Sequence, residues 1–236
     1  MVGQNDLSQS PSLEDSVIFA DNPEPRCACL LVLDVSNSMG FERNGEIPIR
    51  QLNDGLKFFK SCIEDDTLAS LRTEIGVIAF NHEASVIHDF TTVDRFDPPM
   101  LEVSGGTRIS GAIEMALDLV EQRKQTYRDN GITYYRPWVW LICDGYPEHD
   151  TATDWENAKA RVKQAENDRQ LAFFTVGVEG ADLTELDSIG SRQALKLQGL
   201  NFREMFQWLS ASMSSVSQSQ PSDAVSLSSP AGWAEV

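Results

Sequence analysis

The sequence predicts an α/β fold: a doubly wound, mostly parallel six-stranded sheet with one antiparallel edge strand and helices on both faces. Three observations carry this expectation. Runs that are apolar on both faces alternate with amphipathic stretches, the pattern of a buried parallel sheet wrapped by helices. Two of those runs, residues 27–33 and 138–143, end in an aspartate. Between them, the short turn Asn81-His82-Glu83 joins two strand patterns closely enough to make an antiparallel hairpin.

Residues 1–25 are polar with scattered prolines and form an N-terminal arm, flexible or wrapped on the surface, closed by Asn22-Pro23-Glu24-Pro25. The first strand, 27–33, follows and stops at Asp34. Pro48 suits the first position of a helix, and Ile49, Leu52, Leu56, Phe59 and Ile63 line one stripe of it. Residues 74–80 and 84–90 make the hairpin, its second strand at the sheet edge. Asp97-Pro98-Pro99 breaks structure, and Gly105-Gly106-Thr107 leads into a helix bearing Ile109, Ile113, Ala116 and Val120.

Residues 138–143 make the next strand. Thr153 with Glu156 suggests a capping box for a helix carrying Trp155, Ala158, Val162 and Ala165. A strand at 173–178, a short helix capped by Asp182, a weak strand at 194–197 and a helix from Asn201 complete the domain, 26–216. Residues 217–236 form a Ser-rich tail, disordered or docked along the domain edge, with Val225, Leu227 and Trp233 as apolar handholds.

Composition narrows the function. With 19 Lys and Arg against 36 Asp and Glu, the net charge is −17, which argues against nucleic acid and against anionic membrane surfaces as partners. No apolar run approaches membrane-spanning length. Cys27, Cys29, Cys62 and Cys143 have no zinc-site spacing, and a Cys27–Cys29 disulfide would be strained. Reduced thiols and an N-terminus without a leader pattern give the expectation of a cytoplasmic protein.

Ligands of doubly wound sheets bind where the winding reverses, outside the carboxyl ends of the strands. If Asp34 and Asp144 emerge there side by side, two partly dehydrated anions repel. No Lys or Arg lies within 34–39 or 144–147, so a divalent cation is the economical counter-charge. Ser36 and Ser38, at alternate positions after Asp34, and Thr107 add hydroxyls. Such hard oxygen donors suit Mg²⁺, with Mn²⁺ or Ca²⁺ as alternatives. Glu42, Arg43, Tyr146 and His149 are candidates for the rim that meets a partner.

The constellation resembles the von Willebrand factor A domain and its metal-ion-dependent adhesion site. That pattern is Asp-x-Ser-x-Ser, then a Thr, then an Asp, each in its own loop. Asp34, Ser36 and Ser38 match the first part, Thr107 in Gly-Gly-Thr the second and Asp144 in Cys-Asp-Gly the third. The resemblance spans roughly residues 26–215; Asn37 stands where many relatives carry Gly, at a position that supplies no side-chain ligand. It implies a module whose cation accepts an Asp or Glu from a partner protein.

Within that family the chain looks like the bacterial TerY or YegL branch, on its short hairpin, Trp-rich strand, Asp-Gly-x-Pro turn and Pro230-Ala231-Gly232-Trp233. This implies a tellurite-resistance or stress setting and partnership with a PP2C-type phosphatase and a serine/threonine kinase. An alternative is a phosphotransferase or phosphatase of haloacid-dehalogenase type using Asp34 as nucleophile. That chemistry wants an acid two residues on, where Ser36 stands, and a lysine near the later acidic motif, so the expectation is a non-enzyme.

Overall fold

A strand apolar on both faces is stable only with both faces covered, and β1 (Cys27–Asp34) is buried at every position. The computed structural model describes residues 13–144, 147–221, 223, 225, 227 and 229–235. After the N-terminal helix α1 (Leu13–Asp21) and β1 come α2 (Pro48–Glu64), α3 (Thr67–Arg72), β2 (Thr73–Phe80), β3 (Ala84–Thr92) and α4 (Ile109–Asp129). The second half holds β4 (Trp138–Cys143), α5 (Ala152–Asn167), β5 (Ala172–Gly177), α6 (Leu183–Asp187), β6 (Leu195–Leu197), α7 (Phe202–Ser217) and β7 (Ala234–Glu235).

The strand order is β3-β2-β1-β4-β5-β6-β7. From β1 the chain first winds towards β2 and β3, then crosses back to β4 on the other side of β1. Both neighbours of β1 are parallel to it, and β3 is antiparallel, as the short hairpin predicts. The winding therefore reverses between β1 and β4, where Leu33 pairs with Ile142. Asp34 and Asp144 leave the sheet together at that point.

Strand alternation sorts the core into two layers. Cys27, Cys29, Leu31 and Leu33 face α2 and α7; Ala28, Leu30 and Val32 face α4 and α5. The α2–α7 contact depends on Gly55, where an added Cβ would stand 2.7 Å from the Phe206 ring. All four cysteines are free thiols, and burial pushes the Cys27 thiol up to about 12, leaving it unreactive.

Besides helix α1, which forms within the predicted N-terminal arm and seats Phe19 in the core, three features depart from the sequence expectation. Among the described residues the sheet has seven strands, not six: β7 pairs antiparallel with β6, so both edges are antiparallel. The short strand β6 leaves an unpaired backbone edge, and Trp233 beside it brings the apolar anchor that seats the tail there. Trp233 is buried against Trp208, ring centroids 5.6 Å apart, and Val225 and Leu227 pack on the same core. Second, α5 is capped by Thr151, whose hydroxyl accepts the Asp154 amide at 3.1 Å, while Thr153 lies inside the helix. Third, α3 was not anticipated, because a six-residue helix is too short for periodicity. Asp66 caps it, accepting the Leu68 and Ala69 amides.

The seated tail carries a prediction. Trp233→Ala removes a buried indole and frees the β6 edge, and should cost about 3 kcal/mol in chemical denaturation. Limited proteolysis should then cut beyond Gln220 faster than in the parent chain.

Candidate metal centre

Asp34 ends β1 and is fully buried. Its Oδ1 accepts the Ser36 amide at 2.7 Å, which bends the loop back under the carboxylate. Ser36 opens the 3₁₀ turn Asn37–Gly40, and that turn brings Ser38 back beside it, with hydroxyls 3.0 Å apart. Ser38 Oγ donates to Asp144 Oδ1 at 2.8 Å. A continuous polar chain thus runs from Asp34 through Ser36 and Ser38 to Asp144 across the β1–β4 switch point.

Thr107 comes alongside through backbone bonds. Ser104 N donates to the Val35 carbonyl at 2.8 Å, and Asn37 N to the Gly105 carbonyl at 3.0 Å. Gly105 adopts φ +69°, and the Thr107 side chain is buried. No hydrogen bond among the described residues joins its hydroxyl to the other four. Its position is set from the α4 end by Asp150, whose carboxylate accepts the Ile109 and Ser110 amides at 2.8 and 3.0 Å. A side chain 40 residues away in sequence thus caps α4. Local pattern offers no signal for such a cap.

The rim candidates separate. His149 is exposed and lies against Gly106, where a Cβ would meet its Nε2 at 2.2 Å; its amide donates to the Thr107 carbonyl. Glu42 is exposed. Tyr146 lies outside the described residues. Arg43 is a correction to the electrostatic expectation. Its guanidinium pairs with Asp144 Oδ2, bonds the Glu179 carbonyl and reaches the Ser38 carbonyl at 3.4 Å. A cationic side chain does reach the acidic pair, from outside the segments the sequence reasoning considered. Asn44 and Gly45, at φ +53° and +89°, form the two-residue turn that aims it, with Arg43 and Glu46 exchanging backbone bonds. That Asn-Gly pair was the available signal.

Arg43 serves Asp144 and leaves Asp34 uncompensated. Asp34 Oδ2 is buried without a hydrogen-bond partner. Burial pushes the Asp34 carboxyl up to about 7; hydrogen bonds from Ser36 draw it partly back, and nearby Asp144 raises it. An orphaned buried carboxylate oxygen, flanked by two hydroxyls and a second carboxylate, fits a hard divalent cation. Asp34, Ser36, Ser38, Thr107 and Asp144 are the residues that would hold it. Among the described residues no cluster of three or more His, Cys, Asp or Glu gathers; the donors here are two carboxylates and three hydroxyls.

The von Willebrand factor type A domain family matches this sequence over residues 30–208, well over half the chain, and the chain belongs to that family. Solved structures agree on the fold. A von Willebrand factor type A protein from Catenulispora acidiphila superposes with a TM-score of 0.59 at 16% identity, covering 81% of this chain and 43% of that one. The vWF domain of the type V pili tip protein Mfa5 from Porphyromonas gingivalis gives 0.62 at 11% identity, covering 84% and 98%. Proximal thread matrix protein 1 from the mussel byssus, with a zinc-occupied MIDAS motif, gives 0.53 at 14%, covering 80% and 48%. The chain spans under half the length of the Catenulispora and mussel proteins. No curated protein matches it.

Proposed function

We propose that this chain is a metal-dependent protein-interaction module that presents a divalent cation to an Asp or Glu of a partner protein. The observation that carries it is the polar chain from Asp34 to Asp144 with Asp34 Oδ2 orphaned at the winding reversal. When bound, the cation supplies an electrophilic site for an outside carboxylate. The protein's residues do the rest. Asp34 and Asp144 neutralise the charge, and Ser36, Ser38 and Thr107 supply neutral oxygens. The mussel protein with a zinc-occupied MIDAS motif is similar in fold and supports the reading. We favour Mg²⁺, with Mn²⁺ or Ca²⁺ as alternatives, on the hardness of the donors.

Binding is favoured over catalysis because Ser36 stands where a haloacid-dehalogenase-type enzyme needs an acid, and its hydroxyl is engaged with Ser38. The TerY- and YegL-like motifs support a tellurite-resistance or stress setting, with a PP2C-type phosphatase and a serine/threonine kinase as partners. Four free thiols support a reducing compartment such as the cytoplasm. Pull-down from a bacterial lysate, repeated with Mg²⁺, Mn²⁺ or chelator, tests the core of this. Partner capture should require the metal and disappear in Thr107→Ala; capture unchanged by chelator would overturn it.

Arg43 adds an expected result. The guanidinium occupies Asp144 Oδ2 and must withdraw before a cation can share that oxygen. Arg43→Gln should therefore tighten Mn²⁺ binding about ten-fold in calorimetry. Weaker binding in that variant would mean that Arg43 supports the cation instead of opposing it.

A further inference from the structure

The rim of the metal centre carries an apolar side chain that the core does not use. Met39, in the 3₁₀ turn, is fully buried, whereas Phe41, just past that turn, is 65% exposed, the most exposed large apolar side chain among the described residues. Its backbone is fixed on both sides. The Phe41 amide donates to the Ser38 carbonyl at 3.1 Å, and Gly40 before it lies against Val103, where a Cβ would stand 3.0 Å from a methyl carbon. After it, Arg43 and Glu46 exchange backbone hydrogen bonds at 2.7 and 3.0 Å, and Gln51 of α2 donates to the Glu46 carboxylate at 3.3 Å. A single exposed apolar residue is ordinary. This one is held in water by a fixed backbone, hydrogen-bonded to the residue whose hydroxyl belongs to the metal centre.

Arg43 is the second group on the same hairpin. Its guanidinium bonds the Ser38 and Glu179 carbonyls, and Asp144 is the one carboxylate paired with it among the described residues. A cation bound through Asp144 Oδ2 takes that carboxylate away and leaves the two carbonyls. Neutral carbonyls hold the guanidinium at the mouth of the site without neutralising it, and its side chain already reaches solvent. A planar guanidinium held in this way is matched by one further carboxylate from outside.

We propose that the hairpin 41–46 reads the partner segment around its metal-bound acid: a large apolar side chain of the partner packs on the Phe41 ring, and a second partner carboxylate takes the Arg43 guanidinium released from Asp144. The inference rests on the metal-bridge reading and names the partner chemistry that goes with it, an acidic pair beside a side chain such as leucine, methionine or phenylalanine. A lone acid on the cation would leave Phe41 in water and Arg43 without a counter-charge. A segment with all three groups covers both, the aromatic contact adding affinity and the guanidinium adding selectivity. In a chain of net charge −17, the cation and Arg43 are then two positive charges at one mouth, drawing an acidic segment to an otherwise negative surface.

The test pans a random dodecapeptide phage library against the full chain in Mn²⁺ and elutes with chelator. The eluted sequences should share two acids and a large apolar residue close together. Panned on Arg43→Gln, the preference for the second acid should fall to background; panned on Phe41→Ser, the preference for the apolar residue should do so. An enriched peptide, labelled and followed by fluorescence anisotropy in Mn²⁺, should bind Phe41→Ser about ten-fold more weakly. Calorimetry of the same variant should show Mn²⁺ affinity unchanged, since Phe41 touches none of the five ligand candidates through its side chain in any hydrogen bond. Arg43→Gln should lose about five-fold despite its tighter hold on Mn²⁺, and should lose nothing against the peptide with one acid replaced by its amide. Melting temperatures kept within a few degrees would assign both losses to binding. Chelator-eluted peptides with a single acid and no apolar preference would overturn this inference and leave the metal bridge standing. No chelator-eluted binder at all would overturn both.

Discussion

Asp34→Asn should abolish divalent-cation binding and at the same time make the metal-free protein more stable. The wild-type carboxylate is fully buried, with Oδ2 unpaired and Asp144 nearby. Its carboxyl group titrates near 7, against 3.8 in the unfolded chain. Between those values the folded state holds a proton that the unfolded state has released. Metal-free stability therefore falls as pH rises through that window, and the penalty is fully present above about pH 7. Asparagine removes the charge, keeps the shape and keeps an acceptor for the Ser36 amide. The gain should be on the order of 2 kcal/mol above pH 7 and should vanish near pH 4.

Cation affinity follows the same titration with the opposite consequence. Protons compete for Asp34, so wild-type affinity should fall up to about ten-fold per pH unit below 7. Denaturation at pH 8 and pH 4, with and without Mg²⁺, checks both halves. A variant destabilised at pH 8 without metal would show that Asp34 is a structural hydrogen-bonding group and not a held-open ligand.

Glu74→Ala should give the largest loss of stability of any single change outside the metal centre. Glu74 is fully buried in β2 and is the shared anion of Arg26, Arg123 and Tyr127. Arg26 pairs with it at 3.1 Å and Arg123 at 2.8 Å. Both guanidiniums also lie over the Phe19 ring, 5.3 and 5.2 Å from its centroid, which pins α1 to α4. Alanine strands two cations away from water, at a cost of about 3–5 kcal/mol. Phe19 then loses its seat, so α1 should become protease-sensitive before the sheet unfolds. Glu74→Gln keeps the hydrogen-bond acceptor and should lose less. A loss under about 1 kcal/mol for Glu74→Ala would mean that water reaches the two arginines and screens them.

The parts of this molecule legible in its sequence are those written locally. β1 and β4 are unbroken apolar runs, so their burial and their terminal aspartates stand out. The hairpin follows from a three-residue turn, and the α2 stripe from its spacing. Apart from the short helix α3 and the cap of α5, which are local, what was not legible depends on residues distant in the chain. β7 forms because Trp233 finds Trp208 and the short β6 offers an edge, neither of which is local pattern. Asp150 caps a helix from another loop. Arg43 reaches Asp144 across 101 residues, aimed by the Asn44-Gly45 turn. The meeting of Asp34 and Asp144 was legible because topology forces it: once the winding reverses between β1 and β4, the two strand ends lie side by side.

The central claim is that Asp34, Ser36, Ser38, Thr107 and Asp144 together hold one divalent cation. Its most direct test is a crystal of the full chain grown with Mn²⁺ at pH 8 and measured for anomalous scattering. The expected result is one strong peak among those five side chains, with the Arg43 guanidinium withdrawn from Asp144 Oδ2. A map with no peak there, and with Arg43 still paired to Asp144 at saturating Mn²⁺, would contradict it.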